Sequence, residues 1–264
     1  MKRILALSIV SLLFVLFIGC ESEVTLTAPE NLTVTAATNE VDVVLDWDEV
    51  IEEIDGYIVY FNGTAIDTVA TAGYTHTDPQ ETGSYYVTAY IGEDESDPST
   101  SVSTAPVVAD NITLAEINAS GNSGLGWDRT SGSATSYSMA DATNAAFIDF
   151  YFSDWAAGYG GSSYSFISPD LVETDPGVTW NMSGSWNSSS FTNALTESFD
   201  NVTVLPASGY YNTSEITATN AAYGVYTNDG YYGLVEVKSI NTNTGEVEIR
   251  VAFQPVQGLR ILEH

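Results

Sequence analysis

Cysteine, histidine and positive charge are nearly missing from this chain of 264 residues. One Cys, two His and six Lys+Arg stand against 35 Asp+Glu. A single cysteine excludes an internal disulfide, a Cys-rich zinc site and an iron–sulfur cluster. Without a second cysteine or a histidine near a nucleophile, Ser–His and Cys–His catalysis has no parts to work with. A formal charge of −29 argues against nucleic acid as a partner, because phosphate binding needs a basic stripe that displaces counterions. Sustained helical periodicity with caps is lacking as well. With 44% apolar residues the chain can still build real cores, and with 16% charged residues its polar surface must come largely from Ser, Thr, Asn and Gly.

What is present begins with an address. Met1-Lys2-Arg3 is a basic start, and Ile4 to Ile18 is an almost unbroken apolar run. As a helix it would span roughly 22 Å, short of the ~30 Å hydrocarbon core, so a secretory signal peptide is expected rather than a membrane span. The run ends in Phe17-Ile18-Gly19-Cys20, which resembles the lipobox of bacterial lipoproteins. That resemblance implies a signal peptide over 1–19, lipidation of Cys20, a tether over 20–26 and an exported protein anchored in the outer membrane or at the cell surface. Several acyl chains on one residue would hold firmly where a single chain binds only marginally. The acid that follows, Glu21-Ser22-Glu23, is similar to a surface-export mark of some bacterial lipoproteins.

Residues 27–107 read as a first domain. Val41, Val43, Leu45 and Trp47 alternate with Asp42, Val44, Asp46 and Asp48, the period of a half-buried strand. Tyr57 to Phe61 and Thr64 to Ala70 flank Asn62-Gly63, the strongest short hairpin signal because both turn positions need φ > 0. Tyr85, Val87, Ala89 and Ile91 give another alternating strand. Short strands with turn signals between them point to a small antiparallel sandwich. The segment resembles a fibronectin type III domain, through Ala28-Pro29 with Leu32 and Val34, Leu45 with Trp47, Gly56-Tyr57 with Tyr60, Tyr85 with Val87 and Ala89, and Ser96-Asp97-Pro98-Ser99. Such a domain implies a spacer or a binding module; fold alone assigns no ligand. Trp47 and Tyr85 are expected in its core, and His76 at its surface.

If that likeness holds, two acidic connections meet at one end of the sandwich. One carries Asp48, Glu49, Glu52, Glu53 and Asp55, the other Glu93, Asp94, Glu95 and Asp97. Hard oxygen ligands of this kind suit calcium, although the spacing is not that of an EF-hand. The competing reading is a solvated acidic rim that keeps the protein soluble.

Residues 108–264 read as a second β-rich domain of binding type, making the whole chain all-β. Strands are expected at Ile112 to Ile117, Ala146 to Phe152, Tyr164 to Ile167 and Val202 to Leu205. A closing meander is expected from Tyr223 to Thr227, Tyr231 to Ile240 and Glu246 to Gln254. The early acidic strand at Asp149 and the hairpin Tyr226 to Val237 resemble the haem-binding lipoproteins of the HmuY type. That likeness implies nutrient capture with two axial ligands; Met139 and Met182 are the thioethers that could supply them, and core packing is their other reading. Asp175-Pro176-Gly177-Val178-Thr179-Trp180 is similar to the Asp-box of sialidase-like propellers, but it occurs once, and a propeller needs several blades.

Paired carboxylates such as Asp149 with Asp154, or Asp170 with Glu173, leave a glycan hydrolase open, since glycosidases hold two acids about 5–9.5 Å apart. The Tyr, Trp, Asn and Asp content matches the side chains that bind carbohydrate. Trp155, Tyr159, Tyr164 and Trp186, in or beside Gly/Ser loops, are the candidate ligand contacts. The expectation is an exported surface protein with a non-catalytic binding or adhesion role toward a polysaccharide or surface protein, with haem capture and glycan hydrolysis as alternatives.

Overall fold

Val43 and Leu45 point inward and Asp46 outward on one short strand, and a two-residue alternation also marks Glu246–Phe253. The computed structural model describes residues 26–154, 163–176, 178 and 184–264. They form an all-β protein in which the only helices among the described residues are three short 3-10 turns.

The first unit holds eight strands: β1 (Thr33–Ala36), β2 (Val43–Asp46), β3 (Gly56–Phe61), β4 (Thr64–Val69), β5 (Tyr74–His76), β6 (Ser84–Ile91), β7 (Asp94–Glu95) and β8 (Val102–Ser103). One sheet has the order β1-β2-β5 and the other β4-β3-β6-β7, with β8 also pairing β6. The β3–β4 turn is Asn62-Gly63, with φ of 49° and 77°, as the sequence requires of a two-residue hairpin. Val43, Leu45, Val59, Tyr85, Val87 and Ala89 are fully enclosed between the sheets, and Trp47 meets Tyr57 edge-on at 5.3 Å. His76 is half-buried, not at the surface: its Nδ1 lies 2.9 Å from the Tyr85 hydroxyl, and Phe61 packs edge-on against its ring.

Ten strands follow: β9 (Val107–Ala115), β10 (Gly124–Trp127), β11 (Ala134–Tyr137), β12 (Phe150–Ser153), β13 (Ser165–Ile167), β14 (Ser189–Phe191), β15 (Thr213–Glu215), β16 (Ala222–Thr227), β17 (Tyr232–Asn241) and β18 (Glu246–Phe253). They make two five-stranded antiparallel sheets, β11-β10-β12-β13-β15 and β14-β16-β17-β18-β9. Phe150, Phe152, Phe166, Phe191, Tyr223 and Phe253 fill the space between them, joined by Trp127. The outer face of the first of these sheets is covered too: Met139, Ile148, Tyr151, Ile167 and Val172 form a second layer there. That is why every residue of β10, β12 and β13 is buried.

Two strand expectations are corrected. Ala146 to Phe152 is not one strand: Ala142–Phe147 is a 3-10 turn capped by Asp141, and β12 starts only at Phe150. Val202 to Leu205 contributes one isolated bridge, Val204 to Ile261.

The end of the described chain leaves the second unit and packs into the first. Val256, Leu259 and Ile261 share a core with Leu32, Val43, Trp47 and Tyr85. Buried Gln254 fastens the crossing: its amide N–H groups reach the carbonyls of Thr104 and Ile261, and its oxygen accepts from the Val256 N–H. Arg260 pairs with Glu40 at 3.1 Å, and the Glu263 carbonyl accepts from the Thr82 hydroxyl at 2.7 Å. The expected division at residue 107/108 falls at the start of β9, and the segment beyond β18 ties the two units together.

Candidate functional site

Gly124 and Gly126 lie two apart on β10 and so face the same side of the sheet. A β-carbon on Gly126 would sit 1.7 Å from the Phe147 carbonyl oxygen, and one on Gly124 would meet the Ile148 side chain at 2.8 Å. The missing side chains let the Phe147–Ile148 segment lie directly on the strand. Ile148 then plugs into the outer core layer, and the Phe147 ring is left 59% exposed. It stacks on Tyr137 at 6.0 Å and 21° between planes.

These two rings form one wall of a cleft of about 380 Å³. The cleft is also lined by Asp128, Arg129 and Asp149, by Asn187, and by the β16–β17 turn residues Asn228 and Asp229. Asn187 spends both amide N–H groups on the carbonyls of Ala146 and Ile148, at 3.1 and 3.0 Å, so its carbonyl oxygen is what it can offer a ligand.

Arg129 organises the charge. Its Nη2 reaches Asp149 Oδ1 at 2.6 Å and Asp229 Oδ1 at 2.9 Å. Its Nη1 reaches Asp149 Oδ2 and the Trp127 carbonyl, both at 2.9 Å, and its Nε reaches Asp229 Oδ2 at 2.7 Å. Five N–H donors meet five acceptors, so the guanidinium is fully satisfied from within the protein. Burial pushes Asp149 above the ordinary carboxylate range, against the pull of Arg129 and of the Trp127 N–H. Burial also raises Asp229, but there Arg129 and the Thr227 hydroxyl outweigh it and hold the group below that range. The cleft therefore carries one cation, already spent, beside three carboxylates.

A second cleft, of about 400 Å³, adjoins the first at Asn228. It is lined by Asp170, Ser188, Ser190, Asn212 and Tyr226. Tyr226 is partly exposed and leans on Tyr232 at 4.8 Å.

The residues singled out from sequence fall elsewhere. Tyr164 is a core residue, stacked on Phe152 at 5.2 Å, because it precedes β13 on the inward register. Trp186 is half-buried against the outer core layer. Trp155 and Tyr159 lie outside the described residues. Met139 is 1% exposed among Ile148, Tyr151 and Val172, a packing position, and Met182 lies outside the described residues. Cys20 lies outside them too.

Among the described residues, no group of three or more His, Cys, Asp or Glu side chains is gathered as a metal would need. The nine acids proposed for calcium are separately engaged or solvated. Asp48 accepts from Asn31 at 2.7 Å, Asp55 from the Gly92 N–H at 2.7 Å, and Glu52 from Thr27. Glu95 accepts from both Tyr60 and Thr88, while Glu49, Glu53, Glu93, Asp94 and Asp97 are exposed. Of the acid pairs considered for hydrolysis, Asp149 and Asp154 stand at opposite ends of β12, roughly 16 Å apart at ~3.3 Å per residue, too far for a glycosidase pair. Asp170 and Glu173 lie on a surface 3-10 turn, with Asp170 held by the Ser168 hydroxyl.

Sequence reasoning missed Phe147, Tyr137, Asn187 and Asn228. Two signals for the cleft were present: glycines two apart inside an apolar strand, and Arg129 as the first base after Arg3 in an acidic chain. No protein-family model matches the sequence, and no curated protein matches it significantly.

Proposed function

We propose that this is an exported, lipid-anchored surface protein whose second unit binds carbohydrate without transforming it. The first unit, read as a fibronectin type III-like spacer, holds that cleft away from the membrane. One observation carries the reading: a cleft lined by an exposed aromatic ring, Phe147 stacked on Tyr137, is lined as well by the amides of Asn187 and Asn228 and the hydroxyls of Thr130 and Thr135. Sugars present an apolar ring face and a rim of hydroxyls, and bind where an aromatic plane meets fixed hydrogen-bonding groups. The platform is built on a strand and a tightly packed turn, so little order has to be gained on binding. Binding without turnover fits the acids present, since Asp149 is enclosed and held by Arg129.

The test is affinity electrophoresis of the full chain through gels containing soluble polysaccharides, beside the variant Phe147→Ala. Retardation that the variant loses supports the reading. Equal retardation of both proteins, or none with any polymer, counts against it. The anchor is tested separately by labelling cells with a radioactive fatty acid, which Cys20→Ser should no longer incorporate.

A further inference from the structure

The carbohydrate reading leaves open which glycans the protein takes and how much of a chain it grips. Resting on that reading, we infer that the ligand is an uncharged polysaccharide chain, engaged over both adjoining clefts from Phe147 to Tyr226, and not an anionic polymer or a single sugar.

The charge half of the inference follows from a full account of the cations. Beyond Cys20 the chain has four bases: Arg129, Lys238, Arg250 and Arg260. Arg129 is taken by Asp149 and Asp229, while Lys238, Arg250 and Arg260, each beside a carboxylate, line neither cleft. A uronate or sulfate ester needs a cation with a free donor, most often a bidentate arginine. The one arginine in the cleft has no donor left. Around it stand Asp128, Asp149 and Asp229 in the first cleft and Asp170 in the second. A negative polymer would meet these carboxylates, and a strongly acidic chain behind them, with no compensating contact.

The length half follows from adjacency. The two clefts share Asn228, and consecutive residues line them, Asn187 the first and Ser188 the second. Each is lined by an aromatic ring, Phe147 in one and Tyr226 in the other, and Asn228 lines both. Two aromatic side chains in clefts that share an amide residue suit successive units of a chain. A monosaccharide could occupy only one.

The experiment runs the full chain in native gels containing laminarin, xylan or mannan as neutral polymers and alginate or polygalacturonate as anionic ones, at 150 mM salt. The expected result is retardation by at least one neutral polymer and by neither anionic one. Retardation by an anionic polymer equal to or greater than that by every neutral one overturns the charge inference while leaving a carbohydrate-binding protein. No retardation by any polymer overturns the carbohydrate reading and this inference with it. With the retarding polymer in hand, Phe147→Ala and Tyr226→Ala are each expected to weaken binding about tenfold. The disaccharide of the same glycan should bind at least tenfold more weakly than the hexasaccharide. Unchanged affinity of Tyr226→Ala, or equal affinity for disaccharide and hexasaccharide, overturns the two-cleft span while sparing the first cleft. Coincident thermal melting of variants and parent secures that neither substitution acts through unfolding.

Discussion

The carbonyl oxygen of Phe147 occupies the space that a side chain on Gly126 would need, 1.7 Å from the position of its first carbon. This close approach fixes the aromatic wall of the cleft to the sheet. Gly126→Ala must therefore push the turn away, an overpacking cost of about 3 kcal/mol in a layer that is filled on both sides. Urea unfolding should show that loss, and any glycan affinity should fall with it. A variant as stable as the parent would mean that the turn can lift off freely.

Arg129 and Asp149 make a different prediction. Asp149 has 1% of its side chain exposed, so removing the arginine strands a buried carboxylate. Arg129→Met is expected to cost about 3–5 kcal/mol. The double variant Arg129→Met/Asp149→Leu should recover much of it, because the carboxylate then left without its partner, Asp229, is partly exposed to water. Additive losses in the double variant would show that the two side chains stabilise the fold independently.

The segment after β18 should matter to the first unit. Leu259 is fully enclosed among residues of the first core, and Leu259→Ala should cost about 2–5 kcal/mol. Tyr57, Tyr85 and Trp47 report on that core, so tryptophan and near-ultraviolet signals should melt earlier in the variant. If only the second unit is destabilised, the packing of this segment contributes nothing to the first.

His76 sets a pH limit. Burial lowers its pKa below the ordinary value of 6.5. As pH falls through 6.5, the unfolded chain takes up this proton before the folded one does, so stability falls. The contribution is complete above about pH 6.5 and is lost progressively as pH drops through the folded value. His76→Gln should flatten the dependence of the denaturation midpoint on pH just below 6.5. An unchanged pH profile in the variant would assign the slope to other groups.

Much of the fold is legible in the residues. The alternation of Val43 and Leu45 with polar neighbours, the Asn62-Gly63 hairpin and the closing meander all come from local rules of period and turn chemistry. The Ala146 to Phe152 strand failed because residue type could not show that Gly126 and Gly124 would accept that segment as a 3-10 turn laid across them. Tyr164 and Trp186 were selected as aromatics near glycine-rich loops, yet which face a ring occupies is a matter of register, and a one-residue step reverses it.

The scarcity of cations and histidines was a property of the sequence alone. It limits which chemistries the side chains can offer, because a residue type that is scarce in the sequence is scarce in every fold. What tertiary structure alone decided is where the few remaining charges went. Arg129, Asp149 and Asp229 are brought together across 20 and 100 positions of sequence, and only that meeting uses up all five donors of the arginine. The same holds for the chain end and the first core, where Leu259 and Val43 share one buried cluster. Such contacts depend on packing over long sequence separations, where no local pattern carries the information.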